Sequence, residues 1–225
     1  MMASKVEGSA RDRLLAAANE LFYEEGVHTV GIDRVIERAG VAKASLYSTF
    51  GSKEELVRAY LQGRAEARRQ RVLLQVAKHA APRDRLLAIF DALGDAIASP
   101  SYRGCAFVNA SAEGPRGETK VTQVCADTRA WLRALLTDLA RELGAAAPAA
   151  LARQLHLLYD GAAVSAAMDH QPDTAAVARS IAATLLDDAA PPEPTAAKSA
   201  ATAKPASLVG KSAVTTAKRR AAKAT

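Results

Sequence analysis

The sequence predicts an all-α fold, and three observations carry the prediction. Apolar residues recur with the helical period of 3.6 along almost all of residues 10–190, and no strand-like alternation competes with them. Alanine, the strongest helix former, supplies 53 of 225 residues, about half of the 49% apolar total. Aromatic residues make up only 4%, which disfavours an aromatic-rich β-sandwich. A chain of this length forms one large or two small domains, at roughly 100–200 residues each.

The elements follow in order. Leu14, Ala17, Ala18, Leu21 and Phe22 make a complete helix stripe, opened by the capping pair Ser9 and Asp12 and stopped by Gly26. Ile32, Val35, Ile36 and Ala39 repeat the stripe over two turns up to Gly40. Lys43 to Thr49 is a short helix with Leu46 inward and Phe50 four residues on. Gly51 and Ser52 then break the chain and cap a longer helix carrying Leu56, Val57, Tyr60 and Leu61. Residues 83–98 form the next helix, and Pro100 to Gly117 read as turns around the apolar run Cys105 to Val108. From Val121 to Leu143 the period holds for six turns and ends at Gly144. Proline suits a first helical turn, so Pro148 and Pro172 start the last two helices. One carries Leu151, Leu155, Leu158, Tyr159 and Ala162, the other Val177, Ile181, Thr184 and Leu185.

Charge divides the chain differently. The net charge is +6, with a pI near 9.5. Residues 1–71 hold 12 basic and 10 acidic side chains, residues 72–190 hold 11 and 13, and residues 191–225 hold 7 and 1. The last segment is Ala, Lys, Ser, Thr and Pro with too few large apolar groups to offset chain entropy, which predicts a disordered basic tail. Two cysteines, Cys105 and Cys125, are too few for a disulfide scaffold and read as thiols in a reducing compartment. No signal-peptide or membrane-spanning run is present, so the expected location is cytoplasmic, and because a basic excess in such a protein points first to nucleic acid, nucleoid-associated.

Two short helices joined by a glycine turn after a support helix describe a helix-turn-helix. Ile32 to Ala39 is its first helix, Gly40-Val41-Ala42 the turn, and Lys43 to Thr49 the recognition helix; taken alone, the pattern also suits two core helices of a bundle. Three blocks settle the matter: Leu21 to Gly26, Ala39 to Tyr47 and Phe50 to Leu56, inside the 47-residue stretch Arg11 to Val57. In order and spacing they resemble the DNA-binding domain of the tetracycline-repressor-like (TetR) transcriptional regulators. The resemblance implies a DNA-binding head at residues 1–55 and a helical effector-binding and dimerisation body at 56–190, a length that fits once the tail at 191–225 is set aside. It also implies that Lys43, Ala44, Ser45 and Ser48 face the major groove, with Lys43 and Ser45 specifying bases, and that Tyr47 and Lys53 touch phosphates. Two departures stand out. Val30 or Gly31, and Ala42, occupy positions where the family has hydroxyl caps, a loss of about 1 kcal/mol each, with Thr29 a substitute by one residue's shift. Ile36 is larger than the common alanine.

Beyond residue 60 the resemblance thins to a Gly-Cys-x-x-x-Asn pattern at Gly104, Cys105 and Asn109. Tyr102, Phe107, Asn109, Trp131, His156, Tyr159 and Met168 are candidate pocket residues for an unidentified small-molecule effector, each with core packing as its competing role. Ala162, Ala163, Ala166, Ala167, Ala182 and Ala183 let the last two helices approach partners closely, so a homodimer through a four-helix interface is expected, unless they simply reflect the chain's alanine bias. His156 and Asp160 share a helix face but no activated nucleophile accompanies them, no metal-ligand spacing occurs, and no cofactor motif is present. The expected function is therefore not enzymatic. It is a sequence-specific repressor released from palindromic double-stranded DNA by its effector. The alternative is an architectural, largely non-specific DNA-binding protein dominated by its tail.

Overall fold

Ser9 opens the first helix as its sequence implies: its Oγ accepts the Asp12 N–H at 3.2 Å, while the Asp12 carboxylate accepts the Ser9 N–H and hydroxyl. These bonds favour the charged carboxylate and lower its pKa. The structure is a computed structural model and describes residues 8–113 and 119–189; the expected tail at 191–225 and the part of the expected turns that falls at 114–117 lie outside the described residues. Nine helices and no strand occur among the described residues. They are α1 (Ala10–Glu25), α2 (Ile32–Ala39), α3 (Lys43–Phe50), α4 (Lys53–Val76), α5 (Pro82–Ile97), α6 (Ala106–Glu113), α7 (Lys120–Glu142), α8 (Pro148–Asp169) and α9 (Thr174–Ala189).

The all-α expectation is borne out. One element was not foreseen: the apolar run at Cys105 to Val108 opens a helix, α6, which buries Ala106, Phe107 and Ala110. Three inward residues over little more than one turn are too few to display a period. The Thr29 substitution also does not occur. Gly31 is the N-cap of α2 and Ala42 that of α3, and neither gives a side-chain cap.

Two apolar clusters organise the chain. The first joins Leu14, Ala18, Leu21 and Phe22 of α1 to Val35, Leu46, and Leu56, Val57, Tyr60 and Leu61 of α4. It also recruits α6 and, from α7, Val124 and Cys125. The second holds Val72 and Val76 of α4 with the inward faces of α5, α7, α8 and α9. Helix α4, 24 residues long, starts in one cluster and ends in the other, so residues 55 and 56 lie within a continuous helix. Each fully buried leucine in these clusters stabilises the fold by about 1.5–3 kcal/mol.

Candidate nucleic-acid interface and effector cavity

The corner between α2 and α3 is set by Gly40, whose φ of 61° and ψ of 43° place it in the left-handed region that a side chain resists. Its N–H reaches the Ile36 and Glu37 carbonyls, closing α2. Leu46 is 0% exposed and is the only buried residue of α3, so it alone decides which way the helix faces. Lys43, Ala44, Tyr47 and Ser48 consequently share one exposed face, and Ser45 is half-buried beside them. The Ser48 and Thr49 hydroxyls donate to the Ser45 carbonyl at 3.2 and 2.6 Å. Lys43 Nζ donates to Asp33 Oδ1 at 2.9 Å, and this contact raises the lysine pKa. Lys53 is the first residue of α4, where free N–H groups add to its charge; Ser52 caps that terminus by accepting the Glu55 N–H.

The seven pocket candidates do not share one cavity. Tyr102, Phe107 and Tyr159 line a cavity of ≈190 Å³ together with Tyr23, Arg64, Arg68, Arg71, Leu93, Cys105, Ala106 and Ala163. His156 lines a separate groove of ≈620 Å³ between α7 and α8, with Arg129, Arg133, Arg153 and Asp160. Trp131 borders a third, where the Arg69 guanidinium lies 5.2 Å from its ring. Asn109 acts locally, its amide donating to the Arg103 carbonyl at 3.1 Å and so pinning the loop at Gly104. Gly104 needs its missing side chain, since a methyl group there would come within 3.1 Å of Ala167 Cβ, and its φ is 86°. The Gly-Cys-x-x-x-Asn pattern thus shapes one wall of the smaller cavity. Met168, 74% exposed near the end of α8, lines none of these spaces.

The arginines of that cavity are not recognisable from sequence periodicity. Arg64, Arg68 and Arg71 are spaced i, i+4 and i+7 on α4, and arginine is normally assigned to a solvated face. The available signal was position 68, which continues the inward stripe of Leu61, Val72 and Val76 with a charge.

His156 is buried, and burial pushes its imidazole well below the ordinary value; Asp160, 3.7 Å away, opposes this, while Arg129, Arg133 and Arg68 reinforce it. The folded chain therefore binds fewer protons than the unfolded one as pH falls below 6.5, so stability is lost from there towards about 4. Unfolding near pH 5.5 is expected to take up close to one proton more in the wild type than in His156→Gln, measured by calorimetry in buffers of differing ionisation enthalpy.

The cavity abuts the head. Tyr23 of α1 donates its hydroxyl to the Gly104 carbonyl at 2.9 Å and accepts the Arg103 N–H at 2.9 Å. At the other end of α6, the Glu113 carboxylate accepts the His28 N–H at 2.9 Å. Lys120 at the start of α7 pairs with Glu55 and donates its N–H to Glu54; Lys120, together with Arg58 at 2.7 Å from the same carboxylate, lowers the Glu55 pKa.

A glycine-cornered helix pair, with its second helix turned outward on one buried leucine, is the geometry of a helix-turn-helix DNA-binding head. Residues 14–60 match the model of the family described as bacterial regulatory proteins, tetR family. The fold is similar to the crystal structure of SCO4454, a TetR-family transcriptional regulator from Streptomyces coelicolor, at a TM-score of 0.77 and 33% identity, covering 81% of this chain and 96% of that one. It is also similar to the TetR-type regulator sav143 from Streptomyces avermitilis, at a TM-score of 0.73 and 34% identity, covering 81% and 98%. The chain belongs to the TetR family of transcriptional regulators. Among curated proteins it is 36% identical over 122 residues to the transcriptional activator FasR of Mycolicibacterium smegmatis, covering 52% of this chain. The match spans 55% of that relative's length, about half. No helix among the described residues is long and apolar enough to cross a membrane.

Proposed function

We propose that the protein is a homodimeric repressor that reads a palindromic operator and releases it when a small effector occupies the body. The observation that carries this reading is the joint between head and cavity: the loop that forms the cavity wall is the same loop that bonds Tyr23 of the head. A ligand that moves this wall shifts the head and changes how two heads span successive major grooves, roughly 34–36 Å apart. Dimerisation uses α8 and α9. Leu157, Val164 and Met168 on α8, with Val177 and Ile181 on α9, are exposed apolar side chains at helical spacing, and Gly161 and Ser165 among them allow close approach. The head takes residues 1–55, the body 56–190, and the basic segment 191–225 adds sequence-independent attraction to phosphates.

Selection on random duplexes tests the reading: one enriched palindrome supports it, and enrichment without a motif supports the architectural alternative. In vitro transcription from a promoter carrying that palindrome then decides the sign. Loss of transcript on adding protein is the repressor outcome; a gain would place the chain with its activator relative FasR.

In this arrangement Lys53→Ala weakens binding to all duplexes alike and lowers the salt slope by about 1, because Lys53 meets a phosphate. Lys43→Ala and Ser45→Ala instead relax preference at particular base pairs by roughly 5- to 150-fold. Lys43 reaches its base by leaving Asp33, an exchange that costs little because both groups are exposed. Anisotropy on the selected palindrome and its point variants separates the two classes; a changed preferred sequence in Lys53→Ala would reverse the assignment.

A further inference from the structure

We propose that the cavity between α4, α6 and α8 takes a small organic anion, a carboxylate on a compact apolar body, with Arg68 as its inner contact and Arg71 nearer the mouth. The proposal rests on the effector reading above and gives that effector its chemistry. Arg68 is 8% exposed, yet its Nε and Nη2 atoms are buried and have no hydrogen-bond partner among the described residues. A guanidinium cannot shed its charge, so the site holds a permanent buried cation with unused donors. The Tyr159 and Phe107 rings lie 4.7 and 5.9 Å from it and offset part of the desolvation, but they supply no acceptor in the plane of the fork.

The nearby carboxylates are engaged elsewhere. Asp160 is held by Arg129 at 2.7 Å, and Asp95, exposed at the rim, accepts from Gln75. Arg64, one turn before Arg68, also has a buried Nε without a partner. Helical spacing aims Arg64, Arg68 and Arg71 at one wall, so the cavity carries three cations against the single rim carboxylate of Asp95. An anion is the missing partner, and a carboxylate matches the planar fork through two parallel N–H···O bonds. Leu93, Ala106, Phe107 and Ala163 supply apolar walls for the rest of the molecule. At ≈190 Å³ the space is below the roughly 300 Å³ of drug-sized sites, which fixes the occupant as small.

Arg64 connects occupancy to the head. Its guanidinium lies 3.7 Å from the centre of the Tyr23 ring and donates to the Asn19 carbonyl at 3.3 Å, both on α1. An anion that draws Arg64 into the cavity takes this support from α1 and loosens the head's attachment.

Calorimetric titration of the full chain with benzoate and hexanoate tests the proposal, against benzamide and hexanamide as uncharged counterparts, benzylamine as a cation, and inorganic phosphate as an anion without an apolar body. The acids are expected to bind at least tenfold more tightly than any of the others. Arg68→Met should weaken benzoate at least tenfold while the ligand-free protein melts no lower than wild type, because a buried unpaired charge has gone; a purely structural arginine would lower the melting temperature and leave benzoate unaffected. Arg71→Gln, a change nearer the mouth, should weaken benzoate without challenging the fold. No binding of the acids, amides or phosphate binding equally well, or unchanged benzoate affinity in both variants would overturn the proposal. Acids that bind without changing operator affinity would support the anion site and sink the effector reading. Neutral compounds that release the operator where acids do not would do the reverse.

Discussion

Leu46→Ala is expected to abolish specific DNA binding while leaving the body folded. Helix α3 has eight residues, far below the roughly 12–15 at which an isolated helix becomes even marginal, so tertiary packing supplies its stability. That packing converges on Leu46, its single buried residue, with Phe50 and Val41 only partly buried against the same cluster. Truncation to alanine removes the buried methyls and leaves a cavity, a cost of about 2–5 kcal/mol. Neither Ala42 nor Gly31 provides a side-chain cap that would hold the helix pair in place of that contact. The fraction of heads with an ordered recognition face falls accordingly, and a dimer suffers the loss twice. Anisotropy on the selected palindrome should show a loss of more than about 100-fold, and amide exchange should quicken across residues 43–50 while the second cluster keeps its protection. Ala42→Ser is the reciprocal experiment: restoring a cap at α3 should stabilise the head by about 1 kcal/mol. Wild-type affinity in Leu46→Ala would mean that DNA contacts, not the core, order α3.

The head was legible because its stripes are long relative to its elements. Leu14 to Phe22 and Ile32 to Ala39 show their inward faces unambiguously, and the glycines that end them, Gly26 and Gly40, both take positive φ. The outward residues of α3 follow as what remains once Leu46 is placed inward. Helix α6 was illegible because it is short and lies against α7 and the head cluster through only three small or aromatic side chains. The continuity of α4 was harder still. A resemblance confined to the first 60 residues suggests a boundary near residue 55, whereas the helix runs through it to Val76, tolerating Gly63 at about 1 kcal/mol relative to alanine.

The cavity was less legible than the DNA face for a physical reason. Sequence patterns identify what is buried by its apolarity, and the side chains that give this cavity its chemistry are arginines, which patterning assigns to water. Aromatic residues were the natural candidates, and Tyr102, Phe107 and Tyr159 do meet there, but His156, Trp131 and Met168 fall on other surfaces of α7 and α8. Position 68 continues an inward stripe in the sequence, but only the tertiary arrangement shows that this stripe borders a cavity and that Gly104 lines the same space.

Ile181→Asp is expected to convert the proposed dimer into a folded monomer and to reduce operator affinity by more than about 1,000-fold. Ile181 is exposed on the single chain, while its neighbours Ala182 and Leu186 carry the inward packing of α9, so the substitution leaves the protomer's core untouched. In a two-fold dimer through α8 and α9 the same position is presented by both subunits, and each aspartate would be removed from water without a partner, costing several kcal/mol apiece. Such an interface would lose more than burial of Leu157 and Val177, which line the same groove as Ile181, could return. A monomer then reads one half-site. Specific dimeric readers bind in the range of roughly 10⁻⁸–10⁻¹¹ M, and halving the free energy of such a complex brings a single head near non-specific affinity. Sedimentation equilibrium and anisotropy on full and half palindromes measure both effects. Ile181→Leu serves as the control, since it keeps the apolar face and should stay dimeric. If Ile181→Asp remained a dimer with intact operator binding, the subunits would have to meet through a face other than α8 and α9, and the apolar stripe from Leu157 to Met168 would need another occupant.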